Sequence, residues 1–211
     1  MLKISVLTDN RATRNFKAEW GLSFFIEKNG KSILFDFGDS DLFIKNAEKM
    51  GINPFAADHY VLSHGHWDHG NGLRFMPQIK IVCHPESFIK RYRDNIFLGL
   101  PYTLEEAEKK FELVLTESPL ELEKDIYFLG EIERNFDFEN VETPFKKEDG
   151  TMDTVKDDSG IAISTDKGLV VISGCAHAGI CNTVEYAKKV TGVGKVYAVI
   201  GGFHLKGGDK Q

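Results

Sequence analysis

The chain has 211 residues, of which 42% are hydrophobic and 27% are charged, and its formal net charge is −6. This composition excludes a disordered chain and supports one domain that spans residues 1–211. The acidic balance lacks the electrostatic footprint of a protein that binds nucleic acid generically.

Cysteine use and hydropathy indicate the compartment. The three cysteines, Cys83, Cys175 and Cys181, are too few and odd in number for a disulfide framework, which fits a reducing compartment. The first residues lack the pattern of a signal peptide, and no apolar stretch approaches the roughly 18 residues that a membrane span needs. We therefore expect a cytoplasmic protein with no membrane partner.

The first third of the chain is predicted to consist mainly of short strands. Residues 2–7 alternate polar and apolar, and the runs 21–27 and 32–36 flank an Asn-Gly turn that indicates a hairpin. A helix is predicted over 41–50, before a glycine. The strand at 60–63 leads directly into a group of histidines.

The remainder alternates loosely between strands and helices, which indicates the α/β class. Strands are predicted at 79–83, 113–115, 126–129, 160–164, 168–173 and 195–200, and helices near Pro85 and at 101–110 and 183–190. Residues 133–158 are polar and weakly patterned, and we interpret them as a long loop of the kind that is often functional.

The histidine group has the spacing of a metal site. Its pattern, H-x-H-x-D-H, comprises His64, His66, Asp68 and His69. Two histidines two residues apart on an extended segment can point to the same side, and the Asp-His pair that follows can face a second ion. Imidazole nitrogens suit Zn²⁺, Fe and Mn. The spacing predicts two divalent metal ions, with zinc as the first expectation and iron or manganese as alternatives.

Two later segments could complete this site, because each directly follows a predicted strand. The first contains Cys175 and His177. His177 is favoured as a ligand, whereas Cys175 is either a thiolate ligand or a small buried residue. The second contains His204, which we predict to be a metal ligand or a substrate contact.

Five further side chains are weaker candidates. Asp36 ends a predicted strand and could hydrogen-bond a ligating imidazole. Asp157 and Asp158 precede a strand and could supply a carboxylate. His84 has either a substrate-contact or a structural role, and His59 is predicted to be an ordinary structural histidine.

The H-x-H-x-D-H pattern after a strand resembles the signature of the metallo-β-lactamase superfamily. The segments AEWGLSFFIE, ILFDFG, VLSHGHWDHGNGL, GLVVISGCAHAGICNTVEYA and VYAVIGGFHL are similar to the subfamily of 7,8-dihydropterin-6-yl-methyl-4-(β-D-ribofuranosyl)aminobenzene 5'-phosphate synthases, over nearly the whole chain. The resemblance implies an αββα four-layer sandwich. It also implies that His64 and His66 serve one ion and that Asp68 and His69 serve another.

Two of the departures from this family bear on the metal site. Cys175 stands where most of the superfamily has a bridging aspartate, which favours His177 as a substitute ligand. Relatives usually continue past G-G-F-H-L to a P-G-H motif, whereas this chain ends at Gln211. We therefore expect a fold that is short at its C-terminus and a second metal site that is incomplete or completed by His204. A homodimer or a further segment would cover the uncovered face.

The resemblance implies a hydrolase acting on a small molecule. A metal-bound hydroxide would attack an ester, a lactone or a phosphoester, including a pterin-related one, and Asp68 would both bind metal and orient the nucleophile. Two alternatives stay open. Cys175 near the metals would suit an iron-dependent redox enzyme, and the missing final motif would suit a catalytically inactive metal-binding relative.

Overall fold

The computed structural model describes residues 1–13, 15–139 and 143–205. The strands are β1 (Leu2–Thr8), β2 (Ser23–Lys28), β3 (Lys31–Phe35), β4 (His59–Val61), β5 (Lys80–Cys83), β6 (Arg91–Arg93), β7 (Ile96–Phe97), β8 (Glu112–Leu115), β9 (Leu120–Glu123), β10 (Ile126–Phe128), β11 (Lys146–Lys147), β12 (Gly160–Thr165), β13 (Gly168–Ser173) and β14 (Val196–Gly201). The helices are α1 (Leu42–Lys49), α2 (Trp67–Gly70), α3 (Leu104–Lys110) and α4 (Ile180–Thr191). Of the helices in these ranges, none is long and apolar enough to cross a bilayer.

The strands form two large sheets and a small ribbon. The first sheet has the order β1-β2-β3-β4-β5-β8, and the second has the order β14-β13-β12-β10-β9. The ribbon has the order β11-β6-β7. Strands β3, β4, β5 and β8 run parallel, as do β13 and β14, so the carboxyl ends of these strands meet at shared edges.

The nearly continuous apolar runs of the central strands arise because both faces of each sheet are covered. In β2, Phe24 and Ile26 pack between the sheets, whereas Phe25 faces the layer that contains α1 and α3. In β13, Val170 and Ile172 face the space between the sheets, whereas Leu169 and Val171 face α4. The predicted αββα sandwich is therefore confirmed.

The predicted hairpin is also confirmed. Lys28 pairs with Lys31 across the turn between β2 and β3. Asn29 and Gly30 both have left-handed backbone conformations, with φ of 54° and 81°. Two consecutive positive φ angles define the type I′ turn that matches the twist of paired strands, which is why Asn-Gly occurs there.

The local prediction differs from the structure in several places. The helix predicted near Pro85 is wrong, because residues Pro85–Phe88 form only a 3₁₀ turn before the chain enters β6. The predicted loop 133–158 contains the short strand β11, and its residues 140–142 lie outside the described residues. Strands β6 and β7 were not predicted, because each has only two or three residues and lacks a recognisable alternation.

Helix α3 begins with a reciprocal cap that offers a test of local stability. The Thr103 hydroxyl accepts the backbone N–H of Glu106, and the Glu106 carboxylate accepts the backbone N–H of Thr103. We expect Thr103→Ala to lower the free energy of unfolding by about 1 kcal/mol in urea denaturation. Thr103→Ser keeps the hydroxyl and should retain most of that stability. An equal loss of unfolding free energy in both variants would show that the Thr103 hydroxyl contributes nothing as a cap.

Candidate metal centre

Histidines from both sheets crowd into one buried space at the carboxyl ends of β4, β13 and β14. The ring centroid of His64 lies 4.7 Å from that of His66, 4.3 Å from that of His69 and 4.8 Å from that of His177. The ring of His204, which follows β14, lies 4.5 Å from that of His177. The fold therefore brings together all five histidines that the sequence predicted as ligands.

The donor atoms of these side chains approach one another closely. His64 Nε2 lies 3.0 Å from His66 Nδ1, and His69 Nε2 lies 3.1 Å from the Cys175 sulfur. His64, Cys175 and His177 each offer a donor atom within 4.8 Å of the others. Cys175 therefore lies between the histidines of the first sheet and the histidine of the second.

Asp68 lies at the open side of this group. Its Oδ2 is 3.7 Å from His69 Nε2, and its side chain is partly exposed. The backbone carbonyl of Asp68 accepts the Leu22 N–H, and a Cβ at Gly21 would lie 2.5 Å from that carbonyl oxygen. Residue 21, which leads into β2, can pack this closely against the Asp68 carbonyl only because it is glycine.

A buried carboxylate orients two of the imidazoles. Asp36 Oδ2 lies 2.7 Å from His69 Nδ1 and accepts the Ser63 hydroxyl at 2.7 Å, while Asp36 Oδ1 accepts the Ser63 N–H. Because the Ser63 hydroxyl donates to Asp36, its oxygen accepts the proton of His64 Nδ1 at 2.8 Å. Nδ1 is thus a protonated nitrogen in both His64 and His69, which leaves Nε2 of each ring as the nitrogen that a cation would bind. The predicted contact of Asp36 with a candidate ligand is present.

The residues fit a metal cofactor. His66 Nε2 and His177 Nε2 are buried and have no hydrogen-bond partner among the described residues. Orphaned buried nitrogens are costly, and two of them on rings whose centroids lie 4.8 Å apart fit a site that a cation would satisfy. Imidazoles with an adjacent thiol and carboxylate form a donor set that suits Zn²⁺ or iron.

Burial and nearby charges set the protonation of the group. Burial lowers the pKa of His64, His66 and His177 well below the usual value, and neighbouring imidazoles lower it further. Burial also lowers the pKa of His69, but Cys175 and two carboxylates outweigh that effect and raise it well above its usual value. Burial raises the pKa of the Cys175 thiol. The metal-free centre therefore holds a removable proton on the His69–Cys175 pair.

Cation binding is expected to release this proton. Because His69 is protonated below its raised pKa, a cation must displace a proton there, and affinity should rise as pH increases toward that pKa. We expect release of about one proton per cation near neutral pH. Titration calorimetry in buffers of different ionisation enthalpy measures this number. Binding enthalpies that are identical in all buffers would contradict the assignment.

The weaker candidates have other contacts. Asp157 Oδ2 accepts the Gly65 N–H at 2.7 Å, and Asp158 Oδ2 accepts the Ala178 N–H at 2.9 Å. Burial raises the pKa of Asp158 to about 7. Metal ligation by Asp158 stays a prediction, and these contacts instead favour a positioning role. His59 lies away from the cluster, with its Nε2 3.0 Å from Glu123 Oε1.

A second acidic group surrounds His84. His84, Glu117 and Glu131 offer donor atoms within 4.8 Å of one another, and His84 Nε2 is buried. However, His84 Nδ1 accepts the backbone N–H of Glu86 at 3.0 Å, so the ring proton resides on Nε2. Nε2 then offers a hydrogen rather than a lone pair. This tautomer makes the group a poor metal site, unlike the group around His64.

A cavity of about 800 Å³ opens onto the centre. Its wall includes the candidate ligands His66, Asp68, His69, Cys175, His177 and His204, together with Trp20, Trp67, Arg93, Phe145 and Phe203. Such a volume suits a small molecule. Sequence reasoning missed Phe145, whose ring centroid lies 4.8 Å from that of His66, because this residue occurs in the weakly patterned segment 133–158.

Comparison with known proteins identifies the family. The model of the metallo-β-lactamase superfamily matches residues 21–86. A 7,8-dihydropterin-6-methyl-4-(β-D-ribofuranosyl)-aminobenzene-5'-phosphate synthase of Methanocaldococcus jannaschii is 38% identical over 236 residues, covering 100% of this chain and 80% of the relative. An uncharacterised protein of the same organism is 35% identical over 211 residues, covering 97% of this chain and 80% of the relative. The chain belongs to the metallo-β-lactamase superfamily, and the resemblance is confirmed.

Solved structures agree with this fold. The structure of a metal-dependent hydrolase of the β-lactamase superfamily superposes with a TM-score of 0.87 at 29% identity, over 99% of this chain and 79% of that protein. A quorum-quenching N-acyl homoserine lactone lactonase shares the fold, with a TM-score of 0.54 at 12% identity, over 86% of this chain and 78% of that protein.

Proposed function

We propose that the protein is a metal-dependent hydrolase of small molecules. His64, His66 and His177 would hold one divalent cation, and Asp68 and His69 would hold a second, with Cys175 between the two sets and His204 at the entrance. The observation that carries this proposal is the convergence of three buried imidazoles, His64, His66 and His177, whose ring centroids lie 4.7–4.8 Å apart, together with the lack of a hydrogen-bond partner for His66 Nε2 and His177 Nε2 among the described residues. Zinc is the expected cation.

Bound divalent cations would supply an activated water and would stabilise negative charge on the reacting group. Asp68 would accept a proton at Oδ2, which lies 3.7 Å from His69 Nε2 on a side chain that lines the cavity. Arg93 would bind an anionic part of the substrate, and Trp20 and Trp67 would pack against its apolar part. We propose an ester, a lactone or a phosphoester as the substrate.

A substrate panel tests this proposal. Purified protein is loaded separately with Zn²⁺, Mn²⁺ and Fe²⁺, its metal content is measured by mass spectrometry, and hydrolysis of ester, lactone and phosphoester sets is followed. We expect metal-dependent turnover on one of these classes and none after chelation. Fully loaded protein without turnover on any class would overturn the proposal and favour an inactive metal-binding relative. Activity that requires iron and an electron acceptor would favour a redox enzyme.

The synthase relative supports a second candidate function. Its 38% identity extends over the whole of this chain, and its name describes a product that joins a dihydropterin-methyl unit to a ribofuranosyl aminobenzene phosphate. The same protein can be incubated with a dihydropterin donor and 4-(β-D-ribofuranosyl)aminobenzene 5'-phosphate. A joined product detected by mass spectrometry would favour a synthase. Hydrolysis without joining would favour the hydrolase.

A further inference from the structure

Two consecutive buried carboxylates each bind a different segment of the candidate metal centre. The first arm, His64–His69, follows β4 of the first sheet, and the second arm, residues 174–179, follows β13 of the second sheet. Asp157 Oδ2 accepts the Gly65 N–H of the first arm at 2.7 Å. Asp158 Oδ2 accepts the Ala178 N–H of the second arm at 2.9 Å. A single dipeptide before β12 therefore connects both arms.

The first arm is fixed tightly at its glycine. A Cβ at Gly65 would lie 1.8 Å from the Ser87 carbonyl oxygen, so the backbone is wedged between that carbonyl and Asp157. This close approach requires glycine at position 65, and the Gly65 N–H donates to the Asp157 carboxylate. Asp157 therefore contacts the backbone between His64 and His66.

Arg91 orients Asp157 in turn. This fully buried guanidinium donates from Nη1 to Asp157 Oδ2 at 3.1 Å and from Nη2 to Oδ1 at 2.9 Å. Its Nε lies 3.1 Å from Asp153 Oδ2. The fork geometry fixes the carboxylate in direction as well as distance. The backbone of Arg91 also supports the residue that follows His66. The Leu98 N–H donates to the Arg91 carbonyl, and the Trp67 N–H donates to the Leu98 carbonyl.

A connection between the two arms matters physically if both arms bind the same cations. The two sheets contact each other through apolar side chains, and apolar packing is non-directional. Metal–ligand distances must match to about 0.2 Å, which packing alone does not guarantee. Charge-assisted hydrogen bonds from a common dipeptide would fix the arms relative to each other.

We propose that Asp157 and Asp158 are positioning residues that hold the two arms at the separation required to share bound cations. Asp157 has both oxygens engaged by Arg91 and Gly65, and Asp158 contacts the backbone of the second arm. The inference rests on the proposed metal centre. It is independent of the reaction that the centre catalyses.

Cobalt titration tests the role of Asp157. Co²⁺ binding is followed by its visible spectrum in wild-type protein and in Asp157→Asn. With the amide oxygen kept on Gly65, the amide nitrogen faces Arg91 Nη2 and cannot accept its hydrogen, so the two-oxygen contact with the guanidinium is lost, and we expect affinity to fall about 10- to 100-fold with a changed spectrum. Asp153→Asn is the matched control, because it removes an ion pair to the same arginine without touching either arm. It should bind cobalt within about threefold of wild type.

A second pair of variants tests Asp158. Asp158→Asn keeps an oxygen that can accept the Ala178 N–H and should bind cobalt like wild type. Asp158→Ala removes the acceptor and should weaken binding by about 10- to 100-fold.

If Asp157→Asn does not fold, Arg91→Lys replaces it as the test of Asp157. A lysine cannot bond both carboxylate oxygens, so a smaller loss in the same direction is expected.

The outcomes separate this inference from the proposed function. The inference would be overturned if Asp157→Asn (or Arg91→Lys) and Asp158→Ala both kept the wild-type cobalt affinity and spectrum. It would also be overturned if Asp153→Asn lost as much cobalt affinity as these variants. A wild-type protein that binds no cobalt would overturn the metal centre and this inference together. Cobalt binding with the expected losses, but without hydrolysis of any substrate, would remove the proposed reaction and leave the positioning role supported.

Discussion

Replacing His66 with alanine is expected to abolish metal-dependent activity. His66 Nδ1 lies 3.0 Å from His64 Nε2, and the His66 ring centroid lies 4.8 Å from that of His177. Its loss removes one of three buried imidazoles whose rings are nearly equidistant. We expect kcat/KM to fall by at least about 10³-fold, which corresponds to about 4 kcal/mol of transition-state stabilisation. Metal analysis should show less than the wild-type content.

His59→Ala is the matched control for this variant. It also removes an imidazole, but one that pairs with Glu123 away from the metal centre. Activity and metal content should stay near wild type. If both substitutions reduce activity equally while metal content is unchanged, the loss reflects general damage to the fold and His66 is not a ligand.

Replacing Asp36 with asparagine is expected to disable the centre without removing any candidate ligand. Asp36 is fully buried and bonds the Ser63 N–H, the Ser63 hydroxyl and His69 Nδ1. An amide nitrogen in place of Oδ2 would present a hydrogen to the His69 Nδ1–H. The imidazole would then move its proton to Nε2, which removes the lone pair required for ligation. We expect metal affinity to fall about 10- to 100-fold.

The affinity is measured by competition with a coloured chelator, and Asp39→Asn provides the control. Asp39 lies near the same edge, and its Oδ1 accepts the Asn71 side-chain amide. The same change of charge and size there should leave affinity within about threefold of wild type. Wild-type affinity in Asp36→Asn would show that the Asp36–Ser63–His69 hydrogen bonds do not control the ligating tautomer.

The sequence was sufficient to predict the segments of the site. Each candidate ligand lies just beyond an apolar strand, and the order strand, glycine-bounded loop and histidine is a local pattern. Parallel pairing then places the ends of β13 and β14 at one edge, so the proximity of His177 and His204 follows from local signals, whereas the approach of His64 depends on how the two sheets pack. Asp36 was found for the same reason, since it ends β3.

The supporting contacts could not be predicted in this way. Asp157 reaches Gly65 across 92 residues, and its partner Arg91 is a buried charge on a three-residue strand. Phe145 packs against His66 from a segment with no hydrophobic period. These contacts depend on where the long loop crosses the sheet ends. That path is set by tertiary packing, which local periodicity does not encode.

The most direct test of the account is an anomalous-diffraction map from crystals of the protein loaded with zinc, measured at the zinc edge. We expect peaks in contact with the imidazoles of His64, His66 and His177, with Cys175 and His69 bound to the same or an adjacent ion. A map with no peak there, or with these side chains turned away from one another in metal-rich crystals, would contradict it.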